Sequence, residues 1–171
     1  MSNLIDFVSF YRGLGLMPLP LSRAKICTEK DWNKRSFTAS DFKTASGVAL
    51  RCGEKFKSIW VSGYLLVIDY DSNDQQILAN FSNFYALPKS CLVKSGGEHD
   101  GWHLYFLTEF PLQGTIYGKF QGVSVELRGQ NSYVVAPPSV LKTEYKFWAN
   151  RHLEAIQILP AATLELLVRD F

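Results

Sequence analysis

The sequence predicts an α/β (α+β) fold built around a mixed β-sheet, and three observations carry that reading. Apolar stripes at helical spacing occur in three places, near 4–11, 72–85 and 160–171. The run YLLVID at 64–69 is continuously apolar up to its last residue, as expected of a strand buried on both faces. Several short runs rich in β-branched and aromatic residues follow it, separated by glycine and proline. Helix, strands, helix, several strands and a helix in that order describe helices packed on a sheet. A chain of 171 residues suits one domain over 1–171, or two small lobes sharing a cleft.

Leu4, Phe7, Val8 and Tyr11 form the stripe of the first helix, which Ser2 can cap and which Gly13 and Gly15 end. The following LMPLPL, with two prolines, reads as an extended segment or loop. Residues 22–46 are polar and irregular, with a short helix expected after Thr38, where Thr38 and Asp41 have capping-box spacing. Gly47–Arg51 is a strand, and so is 64–69. A helix is expected from Ser72, with Gln75 as capping partner, a buried stripe of Ile77, Phe81, Phe84 and Tyr85, and Pro88 as its stop. Strands are expected at Cys91–Lys94, 103–108, 123–127 and 132–136, with an edge strand at 145–148. Pro160 opens a last helix with Leu164, Leu167, Val168 and Phe171 on one side.

Composition excludes some classes of function. Hydrophobic residues make up 47% and charged residues 20%, ordinary for a globular protein. No apolar run approaches the ~20 residues needed to cross a bilayer, and the first ten residues lack a basic segment ahead of their apolar ones. A cytoplasmic location, or a host's cytoplasm for a mobile gene, is the expectation. The three cysteines, Cys27, Cys52 and Cys91, are widely spaced and odd in number, which argues against a disulfide framework. A metal shared by Cys91, His99 and His103 is weighed against unpaired thiols, and the thiols are preferred. Net charge is only +2, but Lys25, Lys30, Lys34, Arg35, Lys43, Arg51, Lys55 and Lys57 crowd the first third. They are either a track for a phosphate backbone or a solvated face balanced by Asp31, Asp41 and Glu54.

Three motifs can carry chemistry. Asp69-Tyr70-Asp71 ends a strand, so its two carboxylates share a face while Tyr70 points into packing. That pair suits magnesium or manganese, or it simply ends the strand and caps the next helix. Ser95-Gly96-Gly97 opens a loop that runs to His103. Glycines there let backbone N–H groups approach an anion, and His103 can donate to a phosphate, with Lys94 adding charge. The alternative is a glycine-rich turn, preferred for His99. Glu126 lies within the apolar run 123–127, where a carboxylate needs a metal or a partner. It either faces Asp69 and Asp71 or pairs with Arg128 on an outer face.

Taken together these segments resemble the bifunctional DNA primase/polymerase domain of the archaeo-eukaryotic primase superfamily, often found in plasmid and phage replication proteins. YRGLGLMPLPL, GVALRCG, LLVIDYDS, SGGEHDGWHLYF and VSVELRGQNSYVVAPPSV follow in the family's order over nearly the whole chain. The 95–103 loop is longer than the usual form, and Glu126 stands where aspartate is common. The resemblance implies a two-lobed catalytic core, one lobe like an RNA-recognition-motif sheet, and a catalytic domain cut from a longer replication protein with a fused or associated helicase. It implies that Asp69, Asp71 and Glu126 are catalytic and hold two magnesium or manganese ions. Ser95, Gly96, Gly97, His103 and Arg128 would bind the incoming dNTP or NTP, with His103 and Arg128 as positively charged donors. Single-stranded DNA template and primer would be the partners, with Trp102 or Tyr133 either stacking a base or sugar or packing in the core or a loop. The rival readings are a divalent-metal nuclease, in which Arg128 holds the place of a catalytic lysine, and a non-catalytic single-stranded-DNA-binding module.

Overall fold

A computed structural model describes residues 4–98 and 100–171; Ser2 and His99, for which a capping role and a turn position are expected, lie outside them. Helix α1 (Leu4–Gly13) buries Val8 and Tyr11. The proline segment is a strand rather than a loop, β1 (Pro18–Leu21). It pairs antiparallel with β2 (Gly47–Arg51). Arg51 and Ser46 donate from their backbone N–H groups to the carbonyls of Met17 and Leu21. Odd-numbered residues of β1 therefore face β2, and the absent N–H groups of Pro18 and Pro20 fall on the open edge, where proline costs nothing. The segment between them is irregular apart from a 3-10 turn, Ala39–Phe42, where the Thr38 N–H donates to Asp41 at 2.6 Å.

A short strand not read from the sequence, β3 (Lys55–Lys57), leads into the long β4 (Ser62–Tyr70). Helix α2 (Gln75–Phe84) starts later than expected because Asp74, not Ser72, is its cap. The Asp74 carboxylate accepts from the N–H groups of Gln76 and Ile77 at 2.8 and 3.1 Å, while Ser72 Oγ accepts from Asp74 N–H. Of the expected stripe, Phe81 and Tyr85 are buried, with Leu78 beside them, but Phe84 is 64% exposed. Strands β5 (Cys91–Lys94) and β6 (Trp102–Thr108) follow. Next come β7 (Thr115–Phe120), which sequence reasoning missed, and β8 (Val123–Arg128). Then β9 (Tyr133–Ala136), β10 (Lys146–Phe147), β11 (Gln157–Ile158) and α3 (Ala161–Asp170) complete the chain. Val168, expected on the buried side of α3, is exposed, while Leu167 is buried.

The strands form two sheets. The smaller has the order β1-β2-β9, and the larger runs β10-β5-β6-β4-β8-β7 with β3 and β11 at its margins. All pairings are antiparallel except that of β11 with β6, which makes the larger sheet mixed. Within it, β4, α2, β5, β6 and β8 form a split βαβ arrangement with β4 between β6 and β8. One face packs on α2 and α3 through Leu66, Ile68, Tyr70, Phe81, Leu104, Phe106, Val125 and Leu127. The other packs on α1 and the small sheet through Leu65, Val67, Val93, Tyr105, Val48 and Val134. The sheet is thus a wall between two apolar layers, and its polar residues appear where the second layer parts.

Phe81 anchors the helix side: it is fully buried, with ring centroids of Tyr70, Tyr85 and Phe120 within 5.1 to 5.3 Å. Phe81→Ala should lower unfolding free energy by about 3–5 kcal/mol. Urea denaturation followed by tryptophan fluorescence measures this.

Candidate active site

Strand register builds the site. Asp69 lies opposite His103 of β6 on one side and Glu126 of β8 on the other. Side chains alternate along a strand, so Asp69 shares the face of Leu65 and Val67, toward the small sheet. His103 is on that face with Tyr105, and Glu126 with Arg128. Tyr70, Val125 and Leu127 take the helix side. The expected separation of Glu126 and Ser124 from the apolar residues of their strand therefore holds, as does the inward direction of Tyr70.

Asp69, His103 and Arg128 border a cleft of about 310 Å³ between the two sheets, and Glu126 lies behind Arg128 rather than in its lining. Its floor carries Asp69, Asp71, His103 and Arg128; the loop after β5 adds Ser95, Gly97 and Glu98; β9 contributes Tyr133, Val134 and Val135, with Tyr145 and Lys25 closing the far end. Arg128 is the hub of the floor. Its Nε donates to Asp69 Oδ2 at 3.0 Å and its Nη2 lies 2.7 Å from Glu126 Oε2. Glu126 thus shares the face of Asp69 and pairs with Arg128, but on an inner strand between β4 and β7 rather than at an outer edge. Among the described residues, no three of His, Cys, Asp and Glu are grouped so as to hold a metal ion as they stand.

The electrostatics follow from partial burial. Desolvation raises the Glu126 pKa; Arg128 opposes that rise, while Asp69 and Asp71 add to it. Burial works against the charge of Arg128, but Asp69 and Glu126 outweigh it and its pKa is raised. His103 is 4% exposed, with Nε2 3.4 Å from Asp69 Oδ1 and the Val135 backbone as a further polar neighbour. Its pKa is lowered, chiefly by desolvation, against the pull of Asp69. Burial thus works against a charged imidazole, whereas the neighbouring carboxylates support the charge of Arg128.

The glycine loop divides its labour. Ser95 Oγ accepts from the Gly97 N–H at 3.2 Å and lines the cleft. Gly96 faces away, its carbonyl accepting from the N–H groups of Lys142 and Thr143 at 3.1 Å. Gly97 is closely approached, since a Cβ there would stand 2.9 Å from Lys25 Nζ and 3.0 Å from the Tyr145 hydroxyl and would displace the lysine from the cleft. Burial pushes the Tyr145 phenol up, while a hydrogen bond with Ser95 lowers it.

Some expected contributors lie elsewhere. Lys94 sits on the helix side, 4.4 Å over the Trp102 ring, and donates to the Asp100 carbonyl, so it adds no charge to the cleft. Trp102 is buried against Trp148 and cannot stack a nucleotide. Cys91 and His103 share a face, but Cys91 is a fully buried thiol whose pKa desolvation raises well above normal. Within the basic first third, Arg35 pairs with Glu29 and Asp41, and Arg51 is buried against Glu54. The lysine that reaches the cleft is Lys25, from the irregular segment. Its backbone is left-handed (φ 63°), and its carbonyl accepts from the Tyr133 hydroxyl at 3.3 Å.

Acidic residues on one face of the larger sheet thus look across a cleft at a serine-glycine loop, on an α+β core. The family model for the N-terminal domain of bifunctional DNA primase/polymerases matches residues 10–162, and the chain belongs to that family. The match takes in every cleft residue named above, and at the level of the family the activity is primase/polymerase nucleotidyl transfer with DNA and nucleotides as substrates. No curated protein matches the chain. Among the described residues no helix is long and apolar enough to cross a membrane.

The buried imidazole has a consequence for stability. A histidine with a lowered folded pKa binds fewer protons folded than unfolded below about pH 6.5, so stability falls as pH drops from there toward the folded value. In chelator, the denaturation midpoint should fall between pH 7.5 and 5.5, and His103→Gln should reduce that difference.

Proposed function

We propose that the cleft carries out template-directed nucleotidyl transfer on single-stranded DNA, extending a primer with dNTPs or NTPs. The observation that carries this reading is the register that sets Asp69 between His103 and Glu126, opposite Ser95 and Gly97. Asp69, Asp71 and Glu126 would hold magnesium or manganese. Their donors are carboxylate oxygens only, the set that hard cations prefer. Bound there, divalent cations supply the charge that acidifies a primer 3′-hydroxyl and neutralises the leaving pyrophosphate.

The chain's own groups do the remaining work. Ser95 and the Gly97 backbone receive the triphosphate, and Gly96 keeps the loop in place through its contacts with Lys142 and Thr143. His103 donates to a phosphate oxygen, and the anion favours its charged form, reversing the effect of burial. Arg128 binds planar oxyanions in a fork. An incoming triphosphate competes with Asp69 and Glu126 for it, and its transfer to phosphate frees both carboxylates. The 3′-hydroxyl gives up its proton to solvent, its oxygen bonds to the α-phosphorus, and the bond from that phosphorus to the β-phosphate oxygen breaks as pyrophosphate departs. Positioning and preorganised charge account for such a step without covalent help from the protein.

A specific observation favours a second reading, a non-catalytic DNA-binding module: with Glu126 held by Arg128, no three-ligand group is assembled among the described residues. Primer extension separates the two. A labelled primer on a single-stranded template should lengthen with magnesium or manganese, and Asp69→Asn or Asp71→Asn should slow extension by roughly a hundredfold or more. A bound but unextended primer supports the binding module, and a shortened one a nuclease. His103→Gln should raise the nucleotide KM about tenfold, the loss of one hydrogen bond to a charged group, while leaving template affinity as it was.

A further inference from the structure

A second, larger cavity of about 720 Å³ adjoins the catalytic cleft. The two share Lys25, Gly97 and Glu98 in their linings, so they meet at the Lys25 end of the cleft. Arg23, Lys25, Lys43 and Lys142 line the larger part, against a single acid, Glu98. Unlike Arg35 and Arg51, these four cations make no ion pair with any described residue. Four uncompensated charges around one concave surface focus a positive potential into it. Four chain segments converge to make the groove: the turn after β1, the residues leading into β2, the glycine loop at Gly97 and Glu98, and the 140–142 turn that hangs from the Gly96 carbonyl.

We infer that this groove binds the phosphodiester backbone of a single nucleic-acid strand entering or leaving the catalytic cleft. The inference rests on the nucleotidyl-transfer reading for the strand's purpose, though not for its binding. Size and chemistry select this ligand. The groove has more than twice the volume of the cleft that would hold a nucleotide's phosphates, so it fits a run of phosphates rather than one pyrophosphate. Its lining has no aromatic ring on which a base could stack, only lysine, arginine, small residues, Val140 and Leu141. Affinity there comes from backbone charge, is indifferent to base sequence and depends on salt. Lys25 stands at the junction, where strand and nucleotide phosphates meet, and Gly97 lacks a side chain at that same point.

The test measures DNA binding without metal or nucleotide, so a chain that extends no primer can still pass it. Fluorescence anisotropy of a labelled oligonucleotide, across a salt series, compares Lys43→Gln/Lys142→Gln with Lys55→Gln/Lys57→Gln. The second pair lies on β3, is exposed, and changes net charge equally. Each phosphate contact contributes ~0.7 to the slope of log affinity against log salt for single strands. The groove variant should lose about 1.4 from that slope and roughly tenfold or more in affinity at low salt, and the β3 variant should match the unaltered chain. Running an unprimed oligonucleotide beside a recessed primer–template tells whether the groove takes the template or the primer strand; a response with either supports it. Equal losses in both variants, or no loss in the groove variant with its melting temperature unchanged, overturn the inference. If the double variant unfolds, the single Lys43→Gln and Lys142→Gln variants, each expected to lose about 0.7, replace it.

Discussion

The site depends on how β4 is paired. With β6 on one side and β8 on the other, Asp69 is fixed between His103 and Glu126. A slip of one residue along either strand would turn the slipped strand's polar side chains into the helix-side core and its leucines and valines into the cleft. That outcome is prevented by the apolar residues themselves. Leu66, Ile68 and Tyr70 must stay beneath α2 and α3, while Leu65 and Val67 must stay beneath the small sheet. The register is thus set by two hydrophobic layers, and the charged row is carried along by it. The polar groups are a cost that the packing on both faces offsets.

Arg128 makes that row tolerable. Asp69 and Glu126 face the same way from adjacent strands, and without a cation between them each would raise the other's free energy in a partly dry cleft. The guanidinium spans both, one nitrogen to each carboxylate. The same fork geometry suits phosphate. The residue that offsets part of the carboxylates' charge is, in the proposed reaction, also the one that the substrate would draw away, so that substrate binding and the release of the carboxylates would be one event.

Much of this was legible in the sequence because strands alternate. The faces of Asp69, Tyr70, Glu126 and Val125 followed from period two alone, and the order of motifs placed Ser95, Gly97, His103 and Arg128 near them. What stayed hidden needed partners rather than periods. Lys94 looked useful from its position before the glycine loop, yet pairing of β5 with β6 sets it over Trp102 on the wrong side of the sheet. Lys25 was one of many basic residues in an irregular stretch, and only tertiary folding brings it to Gly97. Strand β1 was masked by its prolines, whose edge position could not be known. Strand β7 was masked by Gly118, which breaks its pattern because the Phe171 ring occupies the space where a Cβ would be. Phe84 and Val168 fit an apolar stripe but lie past the margin of the core, a boundary that helical spacing does not mark.

Strands β8 and β9 stand on opposite walls of the cleft, in different sheets, and only residues 129–132 join them. That turn is pinned: Gly129 and Gln130 donate to the carbonyls of Gly114 and Leu112, the Ser132 hydroxyl donates to the Gly129 carbonyl, and Cys52 donates to that of Ser132. The opposite end of the cleft is closed by Lys25, within a long stretch with little regular structure. The two lobes are consequently tied at both ends of the cleft: by this short turn beside Arg128, and beyond Lys25 by the stretch after β9, whose Lys142 and Thr143 N–H groups donate to the Gly96 carbonyl while the Ser139 hydroxyl donates to that of Val48. The walls that carry the acidic row and the glycine loop are therefore stapled together by hydrogen bonds to backbone carbonyls that owe nothing to the charged groups between them.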